Sequence, residues 1–257
     1  MYNIILNKLG VYLFVLLFFL TTNAFAQSLP NIQKGSVYLK DVNIDGQALE
    51  INDTFQAYNK AIDAFYTLSN NENNLYLVLK IKYEDVTSKV LLGGTTITLN
   101  HGKSKRDTAA LSITFPFLED DDRGKIANAF SESRNQKTAI NAQNLVDLNA
   151  LLTSVLKKLK VEGLPGQKSS IISVYNEEGI RSSARFDGKL SYTYELLIPL
   201  KLLGLPNNGA ETFSYQIKTN FPFQESNLKP GGPPPPPMES STTAPTDFWG
   251  EYKLGKK

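Results

Sequence analysis

An Asn-rich turn followed by an alternating segment places the strongest constraint on the fold of this chain. Residues 70–74 are Asn-Asn-Glu-Asn-Asn, and a segment whose apolar residues recur with a period of two follows directly. One side of that segment carries Leu75, Leu77, Leu79 and Ile81, and the other side carries Tyr76, Val78, Lys80 and Lys82. This alternation predicts a half-buried β-strand with one face directed at a core.

Similar alternation recurs along the chain and predicts the other strands. The further candidates are Val37–Ile44, Ala61–Leu68, Val90–Asn100, Leu111–Phe117, Ile171–Tyr175, Gly179–Phe186, Leu190–Ile198, Thr212–Asn220 and Asp247–Leu254. Turns rich in Gly, Asn, Asp and Pro separate these segments. Many short strands with such turns between them predict a mainly β chain that folds as an antiparallel β-sandwich.

One region has helical periodicity instead. Between Asn141 and Val161, apolar residues recur at intervals of three and four, and these are Leu145, Leu148, Leu152, Val155 and Leu159. Three lysines at 157, 158 and 160 would close the last turn of this amphipathic helix, and Gly163 to Gly166 would end it. A second helix is predicted from Arg123 to about Ser133, so residues 123–161 form a helical insertion in the sandwich.

The first 26 residues have the features of a secretory signal peptide. Lys8 precedes an apolar stretch from Val11 to Leu20, and Ala24-Phe25-Ala26 offers small residues for cleavage before Gln27. The apolar stretch is about half the length that a membrane-spanning helix needs, although retention as an anchor is the alternative. We therefore expect an exported chain, periplasmic or extracellular, with one domain at residues 27–257 and no membrane span after cleavage.

Charge and cysteine content exclude several kinds of partner and site. The chain has 27 Lys and Arg against 25 Asp and Glu, a formal net charge of +2, whereas a nucleic-acid partner calls for a concentrated basic face. The chain contains no cysteine. Thiol catalysis, cysteine metal sites and disulfides are therefore excluded, and stability must come from burial of a core.

A Pro- and Gly-rich segment at residues 224–246 is predicted to be an exposed loop. It includes the run Pro233–Pro237, and proline donates no hydrogen bond to a sheet. The run could dock on an aromatic-lined partner, but a spacer between the last two strands is the simpler interpretation. We expect the segment to be mobile and dispensable for folding.

Five motifs in this chain resemble, in the same order, those of family 9 carbohydrate-binding modules and their DOMON-like relatives. They are Ile44-Asp45-Gly46, Asn73–Leu77, Gly179-Ile180, Tyr194–Leu200 and Phe248-Trp249. The resemblance covers most of residues 27–257 and implies a family 9-like sandwich. The motifs consist mainly of residues that form the sandwich rather than residues that bind a ligand.

The chain departs from that family where sugar is bound. Sugar-binding members clamp a terminal sugar between two tryptophans, because aromatic faces stack on the C–H surface of a sugar ring. This chain contains a single tryptophan, Trp249, and Leu49 and Ile51 occupy the region in which the family places another. Haem-binding DOMON relatives use Met and His ligands, but the only candidates after residue 26 are Met238 and His101, so no cofactor is expected.

Two further polar features could indicate a metal site. His101 lies in a turn between predicted strands and, without a second histidine or a cysteine, predicts no transition-metal site. Glu119–Asp122 could supply oxygen ligands to calcium. The run lacks the alternating acidic and Gly spacing of a dedicated calcium loop, however, and is better explained as solvated acidic residues that cap the following helix, where the helix dipole favours negative charge.

Glu195 could be one of the two carboxylates that a glycosidase needs. A hairpin around Asp187-Gly188 that buries its apolar residues would instead pair Phe186 with Leu190 and set Arg181 opposite Glu195. That register predicts an ion pair worth at most about 1 kcal/mol. The chain also lacks the Gly-x-Ser-x-Gly motif of seryl hydrolases, so an enzyme is not expected.

We therefore predict an exported, non-catalytic module that binds a glycan or another envelope component. Trp249 and Tyr252, on the last predicted strand, are the candidate ligand-binding residues. A structural or assembly protein of the cell envelope that acts through protein contacts is the alternative, and a secreted hydrolase ranks third. Exposed aromatic residues would favour the first reading, a broad apolar patch the second, and paired carboxylates in a cleft the third.

Overall fold

The structure of the chain is a computed structural model that describes residues 28–100, 110–135, 140–167, 169–204, 212–220 and 246–257. The predicted signal peptide, His101, Met238 and nearly all of the Pro- and Gly-rich segment lie outside these residues. In chain order the strands are β1 (Ala57–Asn59), β2 (Ala64–Asn70), β3 (Asn74–Ile81), β4 (Thr95–Asn100), β5 (Leu111–Phe115), β6 (Lys158–Glu162), β7 (Ile171–Ser173), β8 (Arg181–Phe186), β9 (Tyr192–Pro199), β10 (Thr212–Thr219) and β11 (Thr246–Lys253). The helices are α1 (Glu84–Gly93), α2 (Asp120–Arg134) and α3 (Ala142–Val155).

Two antiparallel sheets are stacked face to face, as the alternation predicts. Sheet A has the order β1-β2-β3-β9-β8, and sheet B has the order β11-β10-β4-β5-β6-β7. Their inner faces share one apolar core, in which Phe115 of sheet B stacks on Tyr194 of sheet A at a centroid distance of 5.3 Å. Tyr66 of sheet A meets Phe248 of sheet B at 5.1 Å. Burial of these inner faces is the main driving force for the sandwich.

The Asn-rich turn joins β2 and β3 as expected. The side-chain oxygen of Asn71 accepts hydrogen bonds from the backbone N–H groups of Asn73 and Asn74, at 2.9 and 2.8 Å. Such side-chain bonds to the backbone two or three residues ahead are the reason that Asn favours tight turns. The turn fixes the register in which Leu68 faces Leu77 across the hairpin.

The helices pack in chain order, α1 on α2 and α2 on α3, and α3 lies against β8 at the edge of sheet A, whereas α1 contacts β10 of sheet B. Phe130 of α2 stacks on Phe186 of β8 at 5.2 Å. The side-chain amide of Asn149 in α3 donates to the carbonyl of Phe186 at 3.1 Å, and its oxygen accepts from the N–H of Phe186 at 2.8 Å. The insertion thus covers an exposed sheet edge, which would otherwise be a site for non-native strand pairing.

The structure corrects the predicted end of the amphipathic helix. Helix α3 ends at Val155, and Lys157 lies in the link that follows, whereas Lys158 and Lys160 belong to β6. Leu159 continues the helical spacing by coincidence, because it also alternates with Val161 on the inner face of β6. Pairing with β5, in which Ile113 faces Val161, decides the conformation.

Two other strand predictions were wrong. Residues 37–44 form a single parallel bridge, Tyr38 to Asn70, and otherwise run as a loop across sheet A. The first part of the predicted strand Val90–Asn100 belongs to α1, and β4 begins only at Thr95. Gly94 separates the two elements at φ 76°, a conformation that glycine adopts without a steric penalty. None of the described helices is long and apolar enough to cross a bilayer.

The β8–β9 hairpin has a longer loop than predicted. Phe186 pairs with Tyr192 rather than with Leu190. The carboxylate of Asp187 accepts from the backbone N–H groups of Lys189 and Ser191, each at 2.9 Å, and this closes the loop. Because the error is two residues, every side chain still points to the predicted face.

Asn70, at the end of β2, joins both ends of the described chain. Its backbone N–H donates to Val37 and its carbonyl accepts from the N–H of Leu39, each at 3.0 Å. Its side chain accepts from the N–H of Gly255 at 2.7 Å and donates to the carbonyl of Gly255 at 3.1 Å. The N-terminal described segment, β2 and the residues that follow β11 therefore meet at Asn70.

Candidate functional site

The last strand directs the two predicted binding residues to opposite faces of sheet B. Tyr252 points inward, is 2% exposed and contacts Phe213 at a centroid distance of 5.7 Å. Its hydroxyl lies 3.1 Å from the carbonyl of Val37 and 3.0 Å from the side-chain oxygen of Asn70. Tyr252 thus joins β11 to the N-terminal segment, and its ring is closed to a surface ligand.

Trp249 lies on the outer face of sheet B and is half-buried. The neighbouring residue is glycine because the ring of Tyr215 occupies the space on the inner side. A Cβ added at Gly250 would lie 2.4 Å from Cζ of Tyr215. In the local sequence Phe248-Trp249-Gly250, the phenylalanine therefore packs in the core and the indole faces outward. Any side chain larger than that of glycine at position 250 would clash with the ring of Tyr215.

Strand register aligns Trp249 with a row of polar side chains that crosses sheet B. Opposite residues in successive strands are Trp249, Gln216, Thr98, Ser112 and Glu162. The adjacent row consists of Asp247, Lys218, Thr96, Thr114 and Lys160. We call this surface the polar face and define it by Thr96, Thr98, Ser112, Thr114, Gln216, Lys218 and Trp249. Each of these residues is partly exposed.

Hydroxyl groups on the polar face are held in pairs. Thr98 and Ser112 share a hydrogen bond of 2.7 Å between their hydroxyl oxygens, and Thr96 and Thr114 share another of 2.7 Å. The amide of Gln216 donates to the carboxylate of Asp247. A hydroxyl that donates to its neighbour keeps acceptor capacity, so these groups can exchange hydrogen bonds with a polar ligand.

The indole of Trp249 is open to further contacts among the described residues. No described ring or cation stacks on it, and its N–H has no hydrogen-bond partner within the described part of the chain. Indole combines a large apolar face with one donor, which suits a ligand that has an apolar surface edged by hydroxyls. The polar face therefore combines an open aromatic surface with fixed hydrogen-bonding groups.

The outer face of sheet A is closed by the chain itself. Residues 39–56 cross this face without forming a strand, and they include a short 3-10 turn at Leu49–Ile51. A small apolar cluster fills the space between that segment and the sheet, and it consists of Leu39, Ala48, Ile51, Phe55, Phe65 and Val78. Ile51 is 8% exposed whereas Leu49 is 69% exposed, so the two residues that stand where a second tryptophan was sought supply no aromatic ring.

A buried carboxylate ties this segment to the sheet. Glu195 of β9 is fully buried and accepts hydrogen bonds from the backbone N–H groups of Asp45, Gly46 and Ala48, at 2.9, 2.5 and 3.0 Å. Gly46 adopts φ 83°, and a Cβ there would lie 2.8 Å from the backbone of Ala184. The Ile-Asp-Gly motif thus belongs to a loop whose backbone N–H groups donate to the carboxylate of Glu195 in β9.

The environment of Glu195 has opposing effects on its ionisation. Burial raises the pKa of the Glu195 carboxyl to about 7, whereas the hydrogen bonds from Gly46 and Asp45 lower the pKa in part. The carboxylates of Asp45 and Glu50 add a smaller upward contribution. A carboxyl with such a pKa would suit a general acid, but here its oxygens are occupied by backbone amides and closed off from substrate.

The predicted ion pair between Arg181 and Glu195 does not form. In the observed register Ser183 faces Glu195, and Arg181 faces Leu197 on the same side of the sheet. The guanidinium of Arg181 donates instead to the carbonyls of Asn176 and Ile180, at 3.1 and 3.0 Å. The two-residue shift of the hairpin accounts for the difference.

The acidic side chains at the start of α2 form ion pairs with neighbouring basic side chains. Asp120 pairs with Arg123 at 2.9 Å and Asp122 with Lys125 at 2.8 Å, both at i,i+3 spacing, and Glu119 pairs with Lys158. Acidic groups at this position also interact favourably with the helix dipole. Within the described ranges, no group of three or more potential metal-binding side chains is clustered.

A concavity of about 1010 Å³ lies at the end of sheet A beside the β8–β9 loop. Its charged and aromatic groups already bind one another. The ammonium of Lys80 lies 2.8 Å from Asp53 and 3.6 Å from Asp187. Lys82 covers the ring of Phe65 at 4.4 Å from the ring centroid. This groove therefore presents less free stacking surface than the polar face.

No protein-family model and no curated protein sequence matches this chain. Among solved structures, the fold is similar to a family 9 carbohydrate binding module from Caldicellulosiruptor kristjanssonii in complex with glucose. That alignment has a TM-score of 0.41 and 11% sequence identity, and it covers 87% of this chain and 97% of the module. A structure of such a module in complex with cellotriose aligns with a TM-score of 0.42 and 11% identity over 86% of this chain and 93% of the module. At this level of similarity, the ligand must be inferred from this chain's own residues.

Proposed function

We propose that this protein is an exported, non-catalytic module that binds a glycan on the polar face, with Trp249 as the stacking residue. One observation carries the proposal, namely that strand register places the single tryptophan in line with Gln216, Thr98 and Ser112 on a face that no described segment covers. An aromatic surface beside fixed hydroxyl and amide groups is the combination that sugar recognition uses.

The polar face favours a glycan over a protein partner. A structural protein that assembles through this surface would be expected to expose a broad apolar patch. The described residues of the polar face are instead threonine, serine, glutamine and lysine around one indole. The hydrolase alternative loses its candidate acid, because Glu195 is enclosed beneath residues 45–48.

The single tryptophan makes a direct binding test feasible. Intrinsic fluorescence of the full chain should change on titration with cello-, xylo- or manno-oligosaccharides, because its indole emission comes from Trp249 alone. We expect weak binding, and Trp249→Ala should reduce affinity by about tenfold or more, equivalent to about 1.4 kcal/mol. Calorimetry supplies the affinity of the Trp249→Ala variant, which has no tryptophan fluorescence.

Tyr83→Ala is a matched control, because Tyr83 is also an exposed aromatic residue, at 53%, but precedes α1. That variant should bind as the parent protein does. Equal loss of affinity in both variants, or the absence of heat with every glycan, would overturn the proposal. Turnover of any glycan would replace it with the hydrolase alternative.

A further inference from the structure

A second concavity lies on the side of the sandwich where β8 ends sheet A and β7 ends sheet B. This edge cleft has a volume of about 410 Å³, which is within the usual range for small-molecule sites. Its floor is apolar and includes Leu156, Val174 and Ala184, all buried. Its rim is polar and includes Thr153, Lys157, Tyr175, Arg181, Ser182 and Ser183.

Tyr175 gives the edge cleft an exposed aromatic ring. It lies just after β7, in the link that crosses from sheet B to β8, and is 74% exposed. The backbone of this link is held by Asn176, whose side chain binds the carbonyl and the N–H of Ile180 at 2.8 and 3.1 Å. The ring of Tyr175 therefore projects from an ordered turn rather than from the core.

Two cations, Lys157 and Arg181, line the edge cleft without a carboxylate partner among the described residues. Lys157 lies 5.7 Å from the centroid of Tyr175, and no described acidic group is within salt-bridge distance of Lys157 or Arg181. One arm of the Arg181 guanidinium binds the carbonyls of Asn176 and Ile180, which holds the group in place. Its other N–H groups remain able to bind an anion.

Hydroxyl groups complete the rim. Thr153 donates to the carbonyl of Asn149, so its hydroxyl can still accept a hydrogen bond, whereas the hydroxyl of Ser182 donates to the carbonyl of Glu195 and lies near the hydroxyl of Tyr194. The hydroxyl of Ser183 has no partner among the described residues. An apolar floor, an exposed ring, hydroxyls and two cations together match a ligand that has an apolar face, several hydroxyls and a carboxylate.

From this arrangement we infer that the edge cleft binds an acidic sugar residue, a hexuronate, whose carboxylate contacts Lys157 and Arg181 and whose ring stacks on Tyr175. The site is separate from the polar face. Tyr175 belongs to the link between β7 and β8 on one edge, whereas Trp249 belongs to β11 at the opposite edge of sheet B. Binding at one site therefore does not require the other.

Calorimetry of the full chain with trigalacturonate tests this inference, with galactotriose as the matched neutral sugar and benzoate as a carboxylate that is not a sugar. Trigalacturonate should bind about tenfold or more tightly than either control, and its affinity should fall as salt rises from 50 to about 300 mM, because the cations are near the surface. Equal binding of galactotriose, tighter binding of benzoate, or no heat with trigalacturonate would overturn the inference.

Variants locate the site. Tyr175→Ala and Lys157→Gln should each reduce trigalacturonate affinity by about tenfold, with unchanged thermal melting because both side chains are at the surface. Lys60→Gln, at the exposed turn between β1 and β2, is the charge-matched control and should have no effect. Trp249→Ala should leave this binding intact even if neutral glycans bind the polar face. Loss of trigalacturonate binding in Trp249→Ala, or its retention in both edge-cleft variants, would contradict the assignment.

Discussion

The outer faces of the two sheets differ although both sheets belong to one sandwich. On sheet A, residues 39–56 cover the outer face, and Val78 is only 2% exposed beneath them. On sheet B, Thr98 and Ser112 occupy the equivalent outward positions and remain partly exposed. One face has become a second, small core, and the other has kept hydroxyl groups and an indole at the surface.

This difference shows that the outward-facing residues of a strand indicate whether another segment covers the outer face of its sheet. In β3 the outward residues Tyr76 and Val78 are themselves large and apolar, which is favourable only if something covers them. In β4 and β5 the outward residues are threonine and serine, which suit a surface in contact with water or a polar ligand. Strands of one fold can thus mark both a covered face and an exposed polar face.

The largest expected effect comes from removing the acid that fastens the cover of sheet A. Glu195→Ala should lower the free energy of unfolding by about 4 kcal/mol, because three backbone N–H groups lose their acceptor and each costs about 1–3 kcal/mol when left unpaired. Urea unfolding at pH 7 measures this change.

Glu177→Ala, an exposed carboxylate in the link before β8, is the matched control for Glu195→Ala and should change stability by less than about 0.5 kcal/mol. Equal small effects for both variants would mean that residues 45–48 are held by the apolar cluster alone. The two faces would then differ in packing but not in polar anchoring.

The pH dependence of the same carboxyl is the next effect in size. Because its pKa is raised from 4.5 to about 7 in the folded protein, the folded state binds the proton more tightly than the unfolded state does. The pH-dependent part of the contribution of Glu195 to stability is therefore full below pH 4.5 and is lost as the pH rises through 7, by up to about 3 kcal/mol at 1.36 kcal/mol per pKa unit. The three hydrogen bonds that Glu195 accepts from residues 45–48 supply the part that Glu195→Ala removes at pH 7.

The difference in unfolding free energy between the parent protein and Glu195→Gln isolates this contribution from that of the other carboxylates. The parent protein should lose stability relative to the variant between pH 4.5 and 7, and the difference should be constant above pH 8. A difference independent of pH would show that Glu195 keeps an ordinary pKa beneath the loop.

Exchanging Val and Thr between the outer faces of the two sheets should give the smallest changes in stability and the clearest contrast between the faces. Val78→Thr places a hydroxyl in the apolar cluster of sheet A and should cost about 2 kcal/mol. Thr98→Val removes the hydroxyl bond to Ser112 on the polar face and should change stability by less than about 0.5 kcal/mol, because water can satisfy the remaining group. Equal costs in thermal melts would mean that both faces are equally covered.

The sandwich and its main strands could be predicted from local pattern, because burial of one face imposes a period of two on each strand. Helix α1 was missed for a reason that is also local. Val90 is followed by a run rich in β-branched residues, which favours a strand interpretation, yet Glu84 and Asp85 in the first turn and Gly94 after the last are helix signals. The start and stop signals were better guides than composition.

Long-range contacts account for what the sequence could not reveal. The bond from Gly46 to Glu195 spans 149 positions, and no local pattern indicates that an acid in β9 binds a loop before β1. The candidate site was identified only in part, because Trp249 and Tyr252 are three residues apart in a strand and must therefore face opposite ways. That alternation was readable from the sequence and already assigns only one of them to the surface.

The junction at Asn70 has a consequence for how the chain folds during its synthesis. Val37 and Gly255 meet at this residue, so the first and last described segments become ordered together. A nascent chain that has not yet reached β11 lacks both the outer strand of sheet B and the hydroxyl of Tyr252 that reaches Val37. With so many contacts between distant segments, the sandwich cannot close until residues as far as Gly255 have been made, and folding should be slow compared with that of a helical protein of similar stability.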